Sequence, residues 1–161
     1  MKKAIAVYIL SIVCANVTLY YQVFGPWTIY INSFLYIGMD FTVRDTFSRA
    51  WGHSIQGTAK IGGLILLGGL ITFVGTYGAT LSIVVGSVVA FVAANVADTI
   101  AYGVLPKHKG VGSNMIASVV DSWVFPLLAF GIVTPTRFVA LVLAKFLGSL
   151  FWCRCLRVFN G

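Results

Sequence analysis

Apolar residues gather into six segments, at roughly 4–24, 27–43, 61–76, 78–102, 112–131 and 136–156, divided at Gly, Pro and charged clusters. Each approaches the ~20 residues a helix needs to cross a hydrocarbon layer. Within a segment the apolar positions run on continuously instead of alternating in a two-residue period, so the pattern predicts helices rather than a barrel. The second segment holds Asn32 and Asp40, and the third is short and rich in Gly. The connections alternate in character. "GP", "TYG" and "TPT" are tiny, whereas "RDTFSRAWGHSIQGTAK" and "PKHKGVG" are long and basic. Six spans would place Lys2, Lys3, Arg44, Arg49, Lys60, Lys107, Lys109, Arg154 and Arg157 on one side, with only Arg137 opposite and Lys145 inside the sixth. By the positive-inside rule both termini are then cytoplasmic. One span more or fewer would scramble that segregation. The run at 4–24 is longer than a signal-peptide core of ~7–15 residues and lacks an Ala-x-Ala-like exit, so it reads as a retained first span.

Composition supports an all-α integral membrane protein forming a single domain over 1–161. The 161 residues are 59% hydrophobic and only 9% charged, where soluble domains carry about 25% charge. A net charge of +7 could suggest nucleic acid. However, the basic residues form neither a clustered patch nor an aromatic-interleaved stripe, so no nucleic-acid partner is expected. Cys14, Cys153 and Cys155 make no disulfide framework; they read as packed thiols, with acylation of Cys153 or Cys155 a sharper alternative. His53 and His108 sit in the basic loops with no Cys or acid at metal spacing. With no phosphate-binding glycine loop and no protease-type aspartate motif either, the reading is a non-enzyme without metal or cofactor.

The polar residues inside the apolar segments are the informative ones. Asp40 and Asp45 each have an Arg four residues on, Arg44 and Arg49, the spacing of a salt-bridged collar at the membrane edge. Asp98 and Asp121 have no such neighbour. An ionisable group at a helix centre costs ~2.5–3.5 kcal/mol on insertion scales and usually faces a bundle interior or polar cavity. Asn95 lies three residues from Asp98, Asn114 seven from Asp121, and Asn32, Tyr36 and Asp40 recur every four, which are spacings that share a helix face. Asn16 and Lys145 extend the set to five helices. Gly86, Ala90 and Ala94 lead toward Asp98, and Gly62, Gly63, Gly68 and Gly69 mark the third segment; such small residues permit close helix approach and also a homodimer. Two readings follow. One is a tight bundle whose amides bond across helices, with Lys145 pairing Asp121. The other is a polar pocket walled by Asn16, Asn32, Asn95, Asp98, Asn114 and Asp121, with Tyr36, Tyr102, Trp123 or Phe125 as flat surfaces. That pocket would suit a small planar heterocycle carrying N–H donors and a carbonyl. A short echo between "ANVADTIAY" and "ASVVDSWVF" aligns Asp98 with Asp121, as in transporters built from repeats.

The stretches "INSFLYIGMDFTVRDTFSRAW", "ANVADTIAYGVL" and "GSNMIASVVDSWVFPLLAFG" resemble the queuosine precursor transporter family, also called VUT or vitamin-uptake-like, in its compact phage-type form. The family pattern is matched at Ala15-Asn16, Asp40, Arg44 and Asp45, Asp98-Thr99, Ser113-Asn114 and Val120-Asp121-Ser122. Arg49 with Ser48 departs from the acid–polar pair of many relatives. The resemblance implies six inner-membrane helices like those of energy-coupling-factor substrate-binding subunits. It also implies a 7-deazaguanine cargo, either the 7-cyano or the 7-aminomethyl precursor of queuosine. Lys145, Asp40 and Arg44 are read from their own charges and positions as coupling or ion-pair residues. Two alternatives remain: an energy-coupling-factor subunit for another vitamin, whose Ala-x-x-x-Ala docking surface is missing from the first segment, and a non-transport protein of holin or assembly type.

Overall fold

A computed structural model describes residues 1–51, 54–105 and 109–158, which form helices and short connections with no strand among them. His53, His108 and Lys107 lie outside the described residues. We number six helices: α1 (Lys2–Tyr20), α2 (28–51), α3 (Ile55–Gly75), α4 (Leu81–Val104), α5 (Lys109–Phe130) and α6 (Pro135–Val158). All but α2 are long and apolar enough to cross a membrane, making five candidate spans. Their outward faces carry Leu10, Leu66, Leu70, Ile100, Leu143 and Leu147, all exposed, as helices bathed in lipid require.

α2 is continuous but not uniform. It begins as Thr28–Asn32, passes through a π-helical segment at Ser33–Ile37, and resumes α-helical winding over Gly38–Trp51. Packing against α6 accounts for the irregular segment. A Cβ on Gly38 would lie 2.6 Å from the backbone of Gly148, and one on Gly148 would strike the Phe34 backbone. The two helices therefore touch chain to chain. The Trp152 indole N–H donates to the Leu35 carbonyl at 2.7 Å, satisfying a carbonyl within the irregular segment, and further along the Thr42 hydroxyl donates to the Ser149 carbonyl at 3.0 Å. The winding also matters for direction. On an α-helix residues four apart drift by about 40° per step, and a π turn winds more slowly and offsets that drift. Asn32, Tyr36 and Asp40 consequently stay on one face.

The core between α1 and α2 is aromatic and aliphatic: Tyr8 and Ile12 pack on Met39, Val43 and Phe47. Tyr8 meets Phe47 edge-on at 5.8 Å and donates to the Leu64 carbonyl at 3.1 Å. A Cβ on Gly68 would reach 2.7 Å from the Tyr8 hydroxyl, so that glycine lets α3 close on α1. Gly86 plays the same part for α4 on α5, where a Cβ would stand 3.0 Å from the Ala129 nitrogen. Gly62 and Gly63 face open space, and the expected close packing at those two positions is absent.

Boundaries differ from the sequence pattern where local chemistry intervenes. α1 stops at Tyr20, short of residue 24, because Gln22 and Gly25 take positive φ (49° and 56°) ahead of Pro26. α3 starts at Ile55 instead of 61, since the Ser54 side chain accepts the Gly57 N–H at 3.1 Å and caps its first turn. α4 begins at Leu81, and α2 runs past residue 43 to Trp51, with Asp40, Arg44 and Asp45 turned inward.

Candidate functional site

A cavity of about 110 Å³ lies within the bundle and every helix contributes to its wall: Ser11 and Asn16 from α1, Asn32, Ser33, Tyr36 and Asp40 from α2, Thr72 from α3, Ser87 and Asn95 from α4, Asp121 and Phe125 from α5, and Lys145 from α6. One water needs roughly 10–15 Å³ of such space, so the chamber has room for several waters or one small flat molecule.

Its polar groups are unequally matched. Lys145, only 2% exposed, places its ammonium 2.6 Å from Asp121 Oδ2 and donates to Ser122 Oγ at 2.8 Å. Pro126, one turn further along α5, has no N–H to give the Ser122 carbonyl, so the backbone ladder of α5 is interrupted beside this pair. The amide nitrogens are already engaged: Asn16 donates to the Ile12 carbonyl (3.0 Å), Asn95 to the Phe91 carbonyl (2.6 Å) and Asn32 to the Ala15 carbonyl (2.8 Å). Asn32 Oδ1 also takes the Thr18 hydroxyl at 2.6 Å. A carbonyl can only accept, so these bonds fix which end of each amide faces the chamber. What remains is acceptor-rich. Asn95 Oδ1 and Asp40 Oδ1 are buried with no hydrogen-bond partner among the described residues.

Beneath the chamber lies a second polar layer. Arg44 stands between Asp40 (3.3 Å) and Asp98 (3.5 Å), with its guanidinium over the Phe41 ring at 4.7 Å. Asp45 accepts the Asn114 amide N–H at 3.1 Å. Asp40, Arg44, Asp45 and Asp98 are all buried. The expected edge collar is therefore an interior layer: Asp40 does pair with Arg44, but Arg49 is exposed and forms no ion pair with Asp45. Asp98, for which no local partner was expected, is paired from another helix.

At the other end, a larger hollow of about 540 Å³ is bounded by the connections α1–α2, α3–α4 and α5–α6, with Tyr20, Tyr30, Thr76, Thr134 and Arg137 in its wall. It shares Leu19, Ile29, Phe125 and Leu141 with the chamber. These four apolar side chains form a neck between vestibule and chamber.

Of the residues singled out in the sequence, Asn16, Asn32, Tyr36, Asn95, Asp121, Asp40 and Lys145 meet at the chamber. Asp98, Asn114 and Arg44 belong to the layer below. Trp123 lies elsewhere, 53% exposed and edge-on to Phe138 at 5.6 Å. Tyr102 is buried near the end of α4, away from the chamber wall. The sequence reading missed Ser11, Ser33, Thr72 and Ser87. All four are small hydroxyl residues that bond within helices as readily as they line a site, so their presence in an apolar segment carries little signal. Compared with known proteins, the chain matches no family model, no curated protein and no solved structure.

Proposed function

We propose that the chain is a multi-pass carrier of the bacterial inner membrane, with six spans and cytoplasmic termini, that imports a 7-deazaguanine precursor of queuosine, the 7-cyano or 7-aminomethyl form. The observation that carries this reading is the convergence of Asp121, Lys145, Asn16 and Asn95 on one small chamber whose spare capacity is for accepting hydrogen bonds. A 7-deazaguanine offers a ring N–H, an exocyclic amine and a pyrrole N–H, more donors than acceptors. Asp121 can take two N–H groups from the guanine-like edge, while Lys145, released from it, donates to the neighbouring carbonyl. Tyr36, Phe91 and Phe125 supply flat apolar surfaces for the ring. The surplus of basic residues at the end opposite the vestibule supports cytoplasmic termini.

The test is a thermal-shift screen of purified protein against both precursors, guanine and common vitamins, followed by uptake of labelled precursor into cells lacking their own pathway. Stabilisation by a precursor, and loss of uptake in Asp121→Asn, are expected. Uptake by Asp121→Asn equal to that of the parent would remove Asp121 from the mechanism.

A further inference from the structure

The layer beneath the chamber is short of positive charge. Asp40 and Asp98 share a single guanidinium, and all three side chains are buried. If both acids were ionised, the trio would hold a net negative charge in apolar surroundings, a state that proteins avoid by taking up a counter-charge or a proton. Its hydrogen bonding is also incomplete on both sides: Asp40 Oδ1, Asp98 Oδ1 and, one helical turn from Asp98, Asn95 Oδ1 are buried acceptors, and Arg44 Nε, Nη1 and Nη2 buried donors, without a hydrogen-bond partner among the described residues. The Lys145–Asp121 pair is different, since it balances one for one.

We propose that Asp40 and Asp98 share one dissociable proton across Arg44, and that this proton crosses the membrane with the cargo. The coupling half rests on the carrier reading above. Asp40 is the link, for its side chain lines the chamber while its partner Arg44 reaches Asp98 on the far side. A proton arriving from vestibule water bonds to a carboxylate oxygen. When the layer opens and hydrates, the same O–H bond ionises and the proton leaves to water on the opposite face; nothing is oxidised or reduced. The other titratable groups facing the trio are Tyr8 on α1, Asp45 on α2, Tyr102 on α4 and Asp121 on α5, while the exposed Arg49 acts on Asp45 and Tyr102. Of these Asp45 has its own donor in Asn114, which is uncharged.

Infrared spectroscopy of the full chain in lipid nanodiscs reads the proton directly. A protonated-carboxyl C=O band at neutral pH, shifting in heavy water, is expected in the parent and in Asp45→Asn, and is expected to vanish in Asp98→Asn and in Asp40→Asn. No such band in the parent overturns the proposal whether or not the variants fold. A band that survives in Asp98→Asn but is lost in Asp45→Asn overturns the assignment. Proteoliposomes then test coupling with labelled 7-cyano-7-deazaguanine, which is uncharged. With the outside one pH unit more acidic and no membrane potential, one-for-one coupling supports about tenfold accumulation. Uptake that stops at equal concentrations overturns coupling alone. No uptake at all, with the band intact, sinks the carrier reading and the coupling but leaves the shared proton supported.

Discussion

Lys145 and Asp121 can be structure, site or both, and two substitutions separate the roles. Lys145→Ala leaves a carboxylate uncompensated beside the chamber and should destabilise the protein by about 3–5 kcal/mol. Replacing both partners with apolar residues of similar size, Lys145→Met with Asp121→Leu, should return stability close to the parent's. A ligand-induced rise in melting temperature should nevertheless be abolished in the double variant; retention of that rise would make the pair a packing device only. Asn95 permits the complementary experiment. Its Oδ1 is unpartnered while its Nδ2 donates to the Phe91 carbonyl, so Asn95→Leu trades one hydrogen bond for relief of a buried orphan acceptor, and should leave the apo melting temperature nearly unchanged while weakening precursor binding about tenfold, the worth of one hydrogen bond. Titration calorimetry would read the loss, and unchanged affinity would take Asn95 out of the site. Much of this was legible in the chain, because amides and carboxylates in apolar helices have few places to go. Periodicity also held information that the sequence reading did not use. Trp123 is two residues from Asp121, about 200° around the helix, and so points away from it. Asn114 shares Asp121's stripe but lies seven residues along, about 10 Å, beyond the chamber's reach. The pairing of Asp98 with Arg44 was not legible, since it depends on how α2 and α4 are brought together.

At the scale of elements, the α2–α6 contact sets the chamber's shape. Gly148 has no room for a side chain because a Cβ meets the Phe34 backbone, which cannot swing aside as a side chain would. Gly148→Ala should therefore cost at least about 3 kcal/mol, the upper end of ordinary overpacking, and should also weaken cargo binding by shifting the segment that presents Asn32, Ser33 and Tyr36. Gly62→Ala provides the contrast. Its Cβ meets nothing, and the helix gains propensity, so stability should rise by up to about 1 kcal/mol. Thermal denaturation in one detergent compares the two; equal effects would refute the close approach of α2 and α6. Hydropathy alone foresaw neither the π segment nor the different fates of the glycines. A glycine at a contact and a glycine facing lipid are identical letters, and the winding of α2 answers to Trp152 and Gly148, more than a hundred residues further along the chain. The cap at Ser54 was readable in principle, but the polar residues following it masked the start of α3.

The whole molecule has a direction. Its vestibule, neck and chamber lie in series, and the Arg44 layer closes the far end. Import requires the vestibule to face outward, which follows if the termini are cytoplasmic. Ile55 and Tyr77 flank α3 at its two ends, 91% and 76% exposed, and they make the orientation measurable. In a chain with Cys14, Cys153 and Cys155 replaced by Ser, a Tyr77→Cys thiol should react with a membrane-impermeant maleimide in intact cells. Ile55→Cys should react only after the cells are permeabilised. The reverse pattern would place the basic loops outside, against the charge bias, and would turn the vestibule toward the cytoplasm. The same chamber would then load from inside, and a proton carried with the cargo down its usual gradient would oppose export. The labelling experiment therefore fixes which face of the membrane the vestibule opens to, while the direction of any coupled flux is set by the gradients of cargo and proton across that membrane.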